Sequence, residues 1–228
     1  MVTKCDRHRG PEAAQKPKEM LENRRCVPGL QLGQPGPGKP ALCSELHLGH
    51  TGGPSKVVNL STVLFFEPVL GALATAGVRF VVVGGVAVVL HGVLRFTADL
   101  DLCIDLTADQ PMLAMKTLTD LGMSPVLPVD GLEFADPEVR ATWVRERNLM
   151  VFSLIDPSDP FRQVDLFAEN PMPFEELWDR SVVVDLGHTT ARVASIEDLI
   201  AMKTLAGRPQ DLADVEALTQ HRRDSSLE

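Results

Sequence analysis

Two aspartates two positions apart, Asp99 and Asp101, lie in the run Asp99-Leu100-Asp101-Leu102-Cys103-Ile104-Asp105-Leu106, where polar and apolar residues alternate strictly. Alternation of that period marks a strand with one buried face, so Asp99, Asp101, Cys103 and Asp105 are expected to project from one side. Neighbouring carboxylates on one strand face present hard oxygen ligands suited to magnesium, but two cannot complete the coordination of a metal pair. A third is expected from an adjacent strand. Asp165, in Arg162-Gln163-Val164-Asp165-Leu166-Phe167, is the candidate, because a lone charge inside so apolar a run is expensive unless something uses it. Separated from Asp99 by the thirteen residues 86–98, Gly84-Gly85 directly follows the β-branched run Arg79–Val83. A glycine pair there lets the backbone approach a triphosphate closely, with the start of a short helix behind it.

The elements needed to position these groups can be read from periodicity and breakers. Leu60–Ala76 has helical apolar spacing and closes at Gly77, residues 79–83 read as a buried strand, and residues 86–92 as a short helix ending at Gly92. After the aspartate strand come helices over Ala108–Leu121 and Asp136–Glu146. Leu149–Ile155 and Phe161–Phe167 form a hairpin around Asp156-Pro157-Ser158-Asp159-Pro160, and a short helix follows at Phe174–Asp179. Val182–Leu186 and Thr189–Val193 form a second hairpin across Gly187-His188. Ser195 caps a helix reaching about Ala206, and after the break at Gly207-Arg208-Pro209 a last helix runs over Asp211–Gln220.

Charge divides the chain. The 228 residues carry a net charge of −9, but residues 1–56, with nine Lys or Arg against five Asp or Glu, amount to +4, leaving −13 for the rest. The Pro/Gly run 31–40 lacks apolar periodicity, so residues 1–56 read as a disordered or wrongly assigned N-terminal tail, and 57–223 as the folded domain. Cys5, Cys26 and Cys43, with His8, His47 and His50, lack any C-x-x-C pair, which argues for free thiols over zinc. No 18-residue apolar span or signal-peptide core is visible, which leads to a cytoplasmic expectation without membrane association. An excess of acid in the folded part disfavours non-specific nucleic-acid binding, an effect a basic tail would partly offset.

The segments Phe80-Val81-Val82-Val83-Gly84-Gly85 and Arg95-Phe96-Thr97-Ala98-Asp99-Leu100-Asp101-Leu102 resemble the hG[GS]…Dh[DE]h signature of DNA polymerase β-type nucleotidyltransferases. With His91-Gly92, Val164-Asp165-Leu166, Ser195–Lys203 and Gly207–Asp214, the pattern is similar to the AbiEii-type toxin nucleotidyltransferases and their relatives across nearly all of residues 60–220. The resemblance implies an α+β nucleotidyltransferase fold, a mixed sheet with flanking and C-terminal helices. It implies Gly84 and Gly85 cradling a nucleoside triphosphate, with Asp99, Asp101 and Asp165 binding magnesium, or manganese in its place, and carrying catalysis. Lys203 and Arg208 match basic positions near phosphate, and Asp211 their acidic partner. Gln210 stands where many relatives carry Lys or Arg, and Gly85 replaces a serine common in the motif. Acceptors implied are a tRNA 3′ end or a protein hydroxyl, in a toxin–antitoxin or phage-defence setting with a cognate antitoxin. A cationic aminoglycoside would also suit an acidic cleft, and a non-catalytic nucleotide-binding antitoxin or regulatory module is the reading from another class.

Single residues divide between roles. Arg95 and Thr97, in the loop before the aspartates, reach either phosphate or, for Arg95, Asp99 or Asp101. Asp105 reads as solvent-exposed or as a supporting residue, His91 as a structural turn residue, and Trp143 and Trp178 as core or interface fillers.

Overall fold

A computed structural model describes residues 60–225; the expectations for residues 1–56, including the cysteine and histidine cluster and the domain boundary, fall outside the described residues. The order is α1 (Leu60–Ala76), β1 (Phe80–Val83), α2 (Gly84–Leu90), β2 (Asp99–Ile104), α3 (Gln110–Asp120), β3 (Ser124–Pro125), a 3-10 turn at Gly131–Ala135, and α4 (Pro137–Arg147). Next come β4 (Val151–Asp156), β5 (Asp159–Phe167), α5 (Phe174–Arg180), β6 (Val182–Asp185), β7 (Thr190–Val193), α6 (Ile196–Ala206) and α7 (Pro209–Ser225). The seven strands form one mixed sheet ordered β3-β4-β5-β2-β1-β7-β6, the α+β architecture expected of the sequence.

Register explains how the sheet serves the acidic residues. β2 pairs antiparallel with β1, placing Val83 opposite Asp101, and parallel with β5, placing Asp165 opposite Asp101. Directly opposed residues share a face, so the pairing puts Asp101 and Asp165 side by side. Between them the alternate residues Leu100, Leu102, Val164 and Leu166 are fully buried on the opposite face. There Phe152 of β4 stacks on Trp143 of α4 with ring centroids 5.3 Å apart and meets Phe134 of the 3-10 turn at 5.2 Å. Burying aromatic and branched side chains of this size contributes about 1.5–3 kcal/mol each, enough to hold the register that a one-residue slip would reverse.

Caps fix the ends of several helices. Ser195 accepts from the Asp198 N–H at the start of α6, as the sequence implies, and Asp136 accepts from Glu138 and Val139 at the start of α4. Gly207 ends α6 in the left-handed region.

Several expectations need correction. The glycine pair does not form a turn ahead of a helix at residue 86: Gly84 and Gly85 are themselves the first residues of α2. The final helix starts at Pro209, two residues before the expected Asp211, because proline is well suited to a first helical turn. Asp105 is neither exposed nor beside the acidic pair; it is buried against Arg79, 2.6 Å away, and Thr107. Those contacts, acting against burial, hold its carboxyl below the usual range. Arg79 also donates to Glu175 and lies over the rings of Phe174 and Trp178, tying β1 to α5. His91 is structural as expected, its Nε2 2.7 Å from the Ala194 carbonyl oxygen. Trp143 is core, while Trp178 is half-buried and receives Arg79 and Arg192 on its ring.

Candidate active site

Carboxylate oxygens of Asp99, Asp101 and Asp165 lie within 4.8 Å of one another. Strand geometry achieves this with little freedom left over. Asp99 and Asp101 alternate along β2, and the parallel pairing delivers Asp165 from β5 to the same level. Three like charges so close cannot all ionise without cost. Burial first, then the Asp99 and Asp165 charges, push the Asp101 carboxyl up to about 7, opposed by the Gly85 N–H and the Lys203 charge. Burial also raises Asp165, against hydrogen bonds from Ser153 and Gln163, with Asp99 adding to the rise. A set of hard oxygen donors that resist ionisation together is what a divalent cation relieves, so the three residues fit magnesium or manganese.

The glycines fit the same reading. Gly84 has φ +63°, and a Cβ built on it would fall 1.9 Å from Asp101 Oδ2. A Cβ on Gly85 would meet Thr97 Oγ1 at 2.2 Å and Arg95 Nη2 at 3.2 Å. Backbone therefore passes directly against Asp101 at Gly84 and against Thr97 at Gly85, leaving no volume for a side chain at either. We expect Gly84→Ala to lower transfer by roughly 100-fold, because a displacement of about 1 Å in a reacting group has that effect. The left-handed backbone would cost only about 1–2 kcal/mol of stability. Initial rates set beside a thermal melt check this: a rate that falls no further than the folded fraction would refute it.

Around this centre the cations lie on one side. Lys203 of α6 is buried, with Nζ 2.7 Å from Asp214 Oδ2 and 3.4 Å from Asp211 Oδ1. Arg208 places Nε 2.6 Å from Asp211 Oδ2 while its side chain stays 76% exposed. Burial works against ionisation of Asp211, yet Arg208 and Lys203 hold its carboxyl below the usual range. The Arg208 guanidinium is held protonated first by Asp211 and, more weakly, by Asp101 and Asp99. Thr97 is buried with Oγ1 3.2 Å from Asp99 Oδ1.

One expectation for Arg95 is not met. Its guanidinium pairs with Asp214 of α7, not with Asp99 or Asp101, and its Nε donates to the Phe96 carbonyl. It nonetheless remains beside Gly85. The structure therefore gathers Asp99, Asp101 and Asp165 with Gly84, Gly85, Arg95 and Thr97, and joins Lys203, Arg208 and Asp211 into the adjoining charged cluster.

Sequence reasoning missed Asp214, Gln163 and Ser153 as supporting groups. Asp214 stands three residues after Asp211 and so on the same helix face, a spacing that signals a second partner for Lys203. Gln163 Nε2 donates to Asp165 Oδ1 at 3.0 Å and lies two residues before it on β5. Ser153 sits opposite Asp165 in the β4–β5 pairing, which only the register reveals.

No curated protein sequence matches the chain. Among solved structures it is similar to the solution structure of the antibiotic-resistance factor ANT(2'')-Ia, at 12% identity and a TM-score of 0.47, over 70% of this chain and 83% of that one. Residues 72–222 match the model of a family described as nucleotidyltransferase of unknown function (DUF6036), and that span of this chain includes Gly84, Gly85, Asp99, Asp101, Asp165, Lys203 and Arg208. The chain belongs to this family of nucleotidyltransferases.

Proposed function

We propose that residues 57–223 form a magnesium-dependent enzyme that moves a nucleoside monophosphate from a nucleoside triphosphate to an acceptor hydroxyl. The observation that carries this reading is the convergence of Asp99, Asp101 and Asp165, with Asp101 packed against Gly84, inside a nucleotidyltransferase family match. Asp99, Asp101 and Asp165 would hold the metal, which when bound neutralises phosphate charge and favours ionisation of the acceptor hydroxyl. Gly84 and Gly85 admit the triphosphate to the carboxylates, with Arg95, Lys203 and Arg208 on the side where its negative charge gathers. Thr97 orients Asp99.

Transfer on these residues runs as an in-line displacement. The acceptor oxygen forms a bond to the α-phosphorus, the bond from that phosphorus to the bridging oxygen breaks, and pyrophosphate leaves with the electron pair. Asp165 takes the hydroxyl proton, a task for which burial has made its carboxylate more basic. Gln163 and Ser153 hold it in place from the other side.

A tRNA 3′ end and a protein hydroxyl are the acceptors we assign to this chemistry, in a cytoplasmic toxin or phage-defence role with a cognate antitoxin. Among the described residues no helix is long and apolar enough to cross a membrane. Incubation of the full chain with α-labelled nucleoside triphosphates and magnesium, in the presence of total tRNA and soluble protein, tests the reading. Label is expected on one acceptor, with stoichiometric pyrophosphate. Nucleotide binding without any transfer would instead identify a regulatory module.

A further inference from the structure

Gly84 and Gly85 are glycines for different reasons. Gly84 has a positive φ, the left-handed backbone that favours glycine, whereas Gly85 does not, and its backbone would accept an ordinary residue. What excludes a side chain at Gly85 is the loop between α2 and β2. A Cβ there would fall 2.2 Å from Thr97 Oγ1, 2.8 Å from Thr97 Cβ and 3.2 Å from Arg95 Nη2. Residue 85 and Thr97 thus compete for one volume, and close packing lets only one of them place a side chain in it. Gly85 itself is buried and gives its N–H to the Asp101 carboxylate. Thr97, in turn, holds its hydroxyl loosely. The nearest acceptors are Asp99 Oδ1 at 3.2 Å and the Asp99 carbonyl oxygen at 3.4 Å, against about 2.7–2.8 Å for an ordinary O–H···O bond. Packing alone would be served as well by valine.

We infer that Gly85 is a socket for the loop segment 95–97, and that Thr97, seated in it, is a phosphate-binding residue whose hydroxyl turns from Asp99 to a phosphoryl oxygen of the nucleoside triphosphate. The inference rests on the nucleotidyltransferase reading and deepens it by naming the group that meets the phosphates where Gly85 carries no side chain. Arg95 belongs to the same device. Its Nη1 pairs with Asp214 of α7 while Nη2 lies against Gly85, so the glycine seats a cation and a hydroxyl side by side. Asp99, which Thr97 touches, is one of the three clustered carboxylates, and this places the hydroxyl at the edge of the acidic centre. A hydrogen bond to a charged phosphoryl oxygen is about twice as strong as one between neutral groups, enough to draw the hydroxyl from its two long contacts. The two positions are coupled as well. A serine Oγ is one bond beyond the Cβ that would meet Thr97 Oγ1, so a hydroxyl at this spot can come from residue 97 or from residue 85, but not from both.

The test uses variants of the full chain, read by thermal melting without ligand and by calorimetric binding of ATP and of inorganic triphosphate, each with magnesium. Gly85→Ala is expected to melt roughly 3–9 °C lower, the cost of overpacking one side chain. Combined with Thr97→Ala, which clears the Oγ1 contact, it is expected to recover much of that loss. Losses that simply add in the double variant overturn the socket. Thr97→Val, of the same shape without the hydroxyl, is expected to weaken ATP and inorganic triphosphate alike by about tenfold, the worth of one hydrogen bond to a charged group. The magnesium needed for half-maximal binding stays unchanged, and Thr97→Ser keeps wild-type affinity. Gly85→Ser with Thr97→Ala returns a hydroxyl to the same volume from the other partner and is expected to regain affinity that Gly85→Ala with Thr97→Ala lacks. If Thr97→Val binds both ligands as wild type does, or shifts only the magnesium requirement, the hydroxyl serves Asp99 alone and the phosphate assignment is overturned. If the wild-type chain binds neither ligand, the nucleotidyltransferase reading itself fails and the phosphate assignment with it, while the ligand-free melts still decide the socket.

Discussion

Asp101→Asn is expected to lower nucleotidyl transfer by about 10³-fold or more while raising the melting temperature of the metal-free protein at pH 8. The two effects share one cause. Asp101 sits at the crowded centre of the triad, and in the absence of a cation its charge is opposed by burial, Asp99 and Asp165. Its carboxyl, displaced from an ordinary value of 3.8 to about 7, keeps its proton in the folded state over a range where the unfolded chain has released it. Stability of the wild-type protein therefore falls as pH rises from about 4 to about 7, and above 7 the full penalty is present. At ~1.4 kcal/mol per unit this is at most about 4 kcal/mol. Asparagine has the same shape and no charge, so the variant is expected to melt roughly 3–8 °C higher at pH 8 in chelator, a gain that shrinks as pH falls and disappears near pH 4. Magnesium should then stabilise the wild type at pH 8 and leave the variant unmoved. Melting curves at both pH values, with chelator and with magnesium, are the measurement. An Asp101→Asn protein that melts below wild type at pH 8 would show that the triad is relieved by something other than a cation.

Which parts of this site were legible in the sequence follows from the range over which each is determined. Asp99 and Asp101 are placed on one face by a period of two, a local property visible in eight residues. Asp165 was legible because charge inside an apolar run is costly, although its partner across the sheet is set by pairing, not by local pattern. The glycines were legible as a close approach. Their place within α2, and the contact of Gly84 with Asp101, depend on how β1 and β2 lie together. Arg95 was read as reaching either phosphate or the nearest acids in sequence, whereas folding pairs it with Asp214, 119 positions away. Asp105 was misjudged for a related reason. Strand alternation fixes its face but not what covers that face, and Arg79 with α5 does so. The strand Ser124–Pro125 and the 3-10 turn at Gly131–Ala135 left too short a pattern to detect. Long-range ion pairs and short edge elements are thus the features that single-sequence reasoning loses, because neither has a period.

The largest stability effect is expected at one of those long-range pairs. Asp214 receives both Lys203 Nζ, at 2.7 Å, and the Arg95 guanidinium, joining α6, α7 and the loop before β2 through one buried carboxylate. Removing one member of a buried pair leaves the other as an uncompensated charge, which costs about 3–5 kcal/mol. The Lys203 side chain, 7% exposed, retains only the longer contact to Asp211. Asp214→Ala is accordingly expected to lower the melting temperature by roughly 10 °C, whereas the exposed pair Arg145–Glu146 contributes less than about 1 kcal/mol. Replacing Lys203 as well, as Lys203→Met with Asp214→Leu, removes the buried lysine charge, leaves Arg95 without Asp214, and should restore part of the lost stability. Transfer should not return with it, since the cation that opposes the rise of Asp101 and faces the triphosphate is gone. Denaturant titration of the single and double variants, followed by initial rates on the folded protein, separates the two roles. A double variant that recovers transfer together with stability would reduce Lys203 and Asp214 to scaffolding.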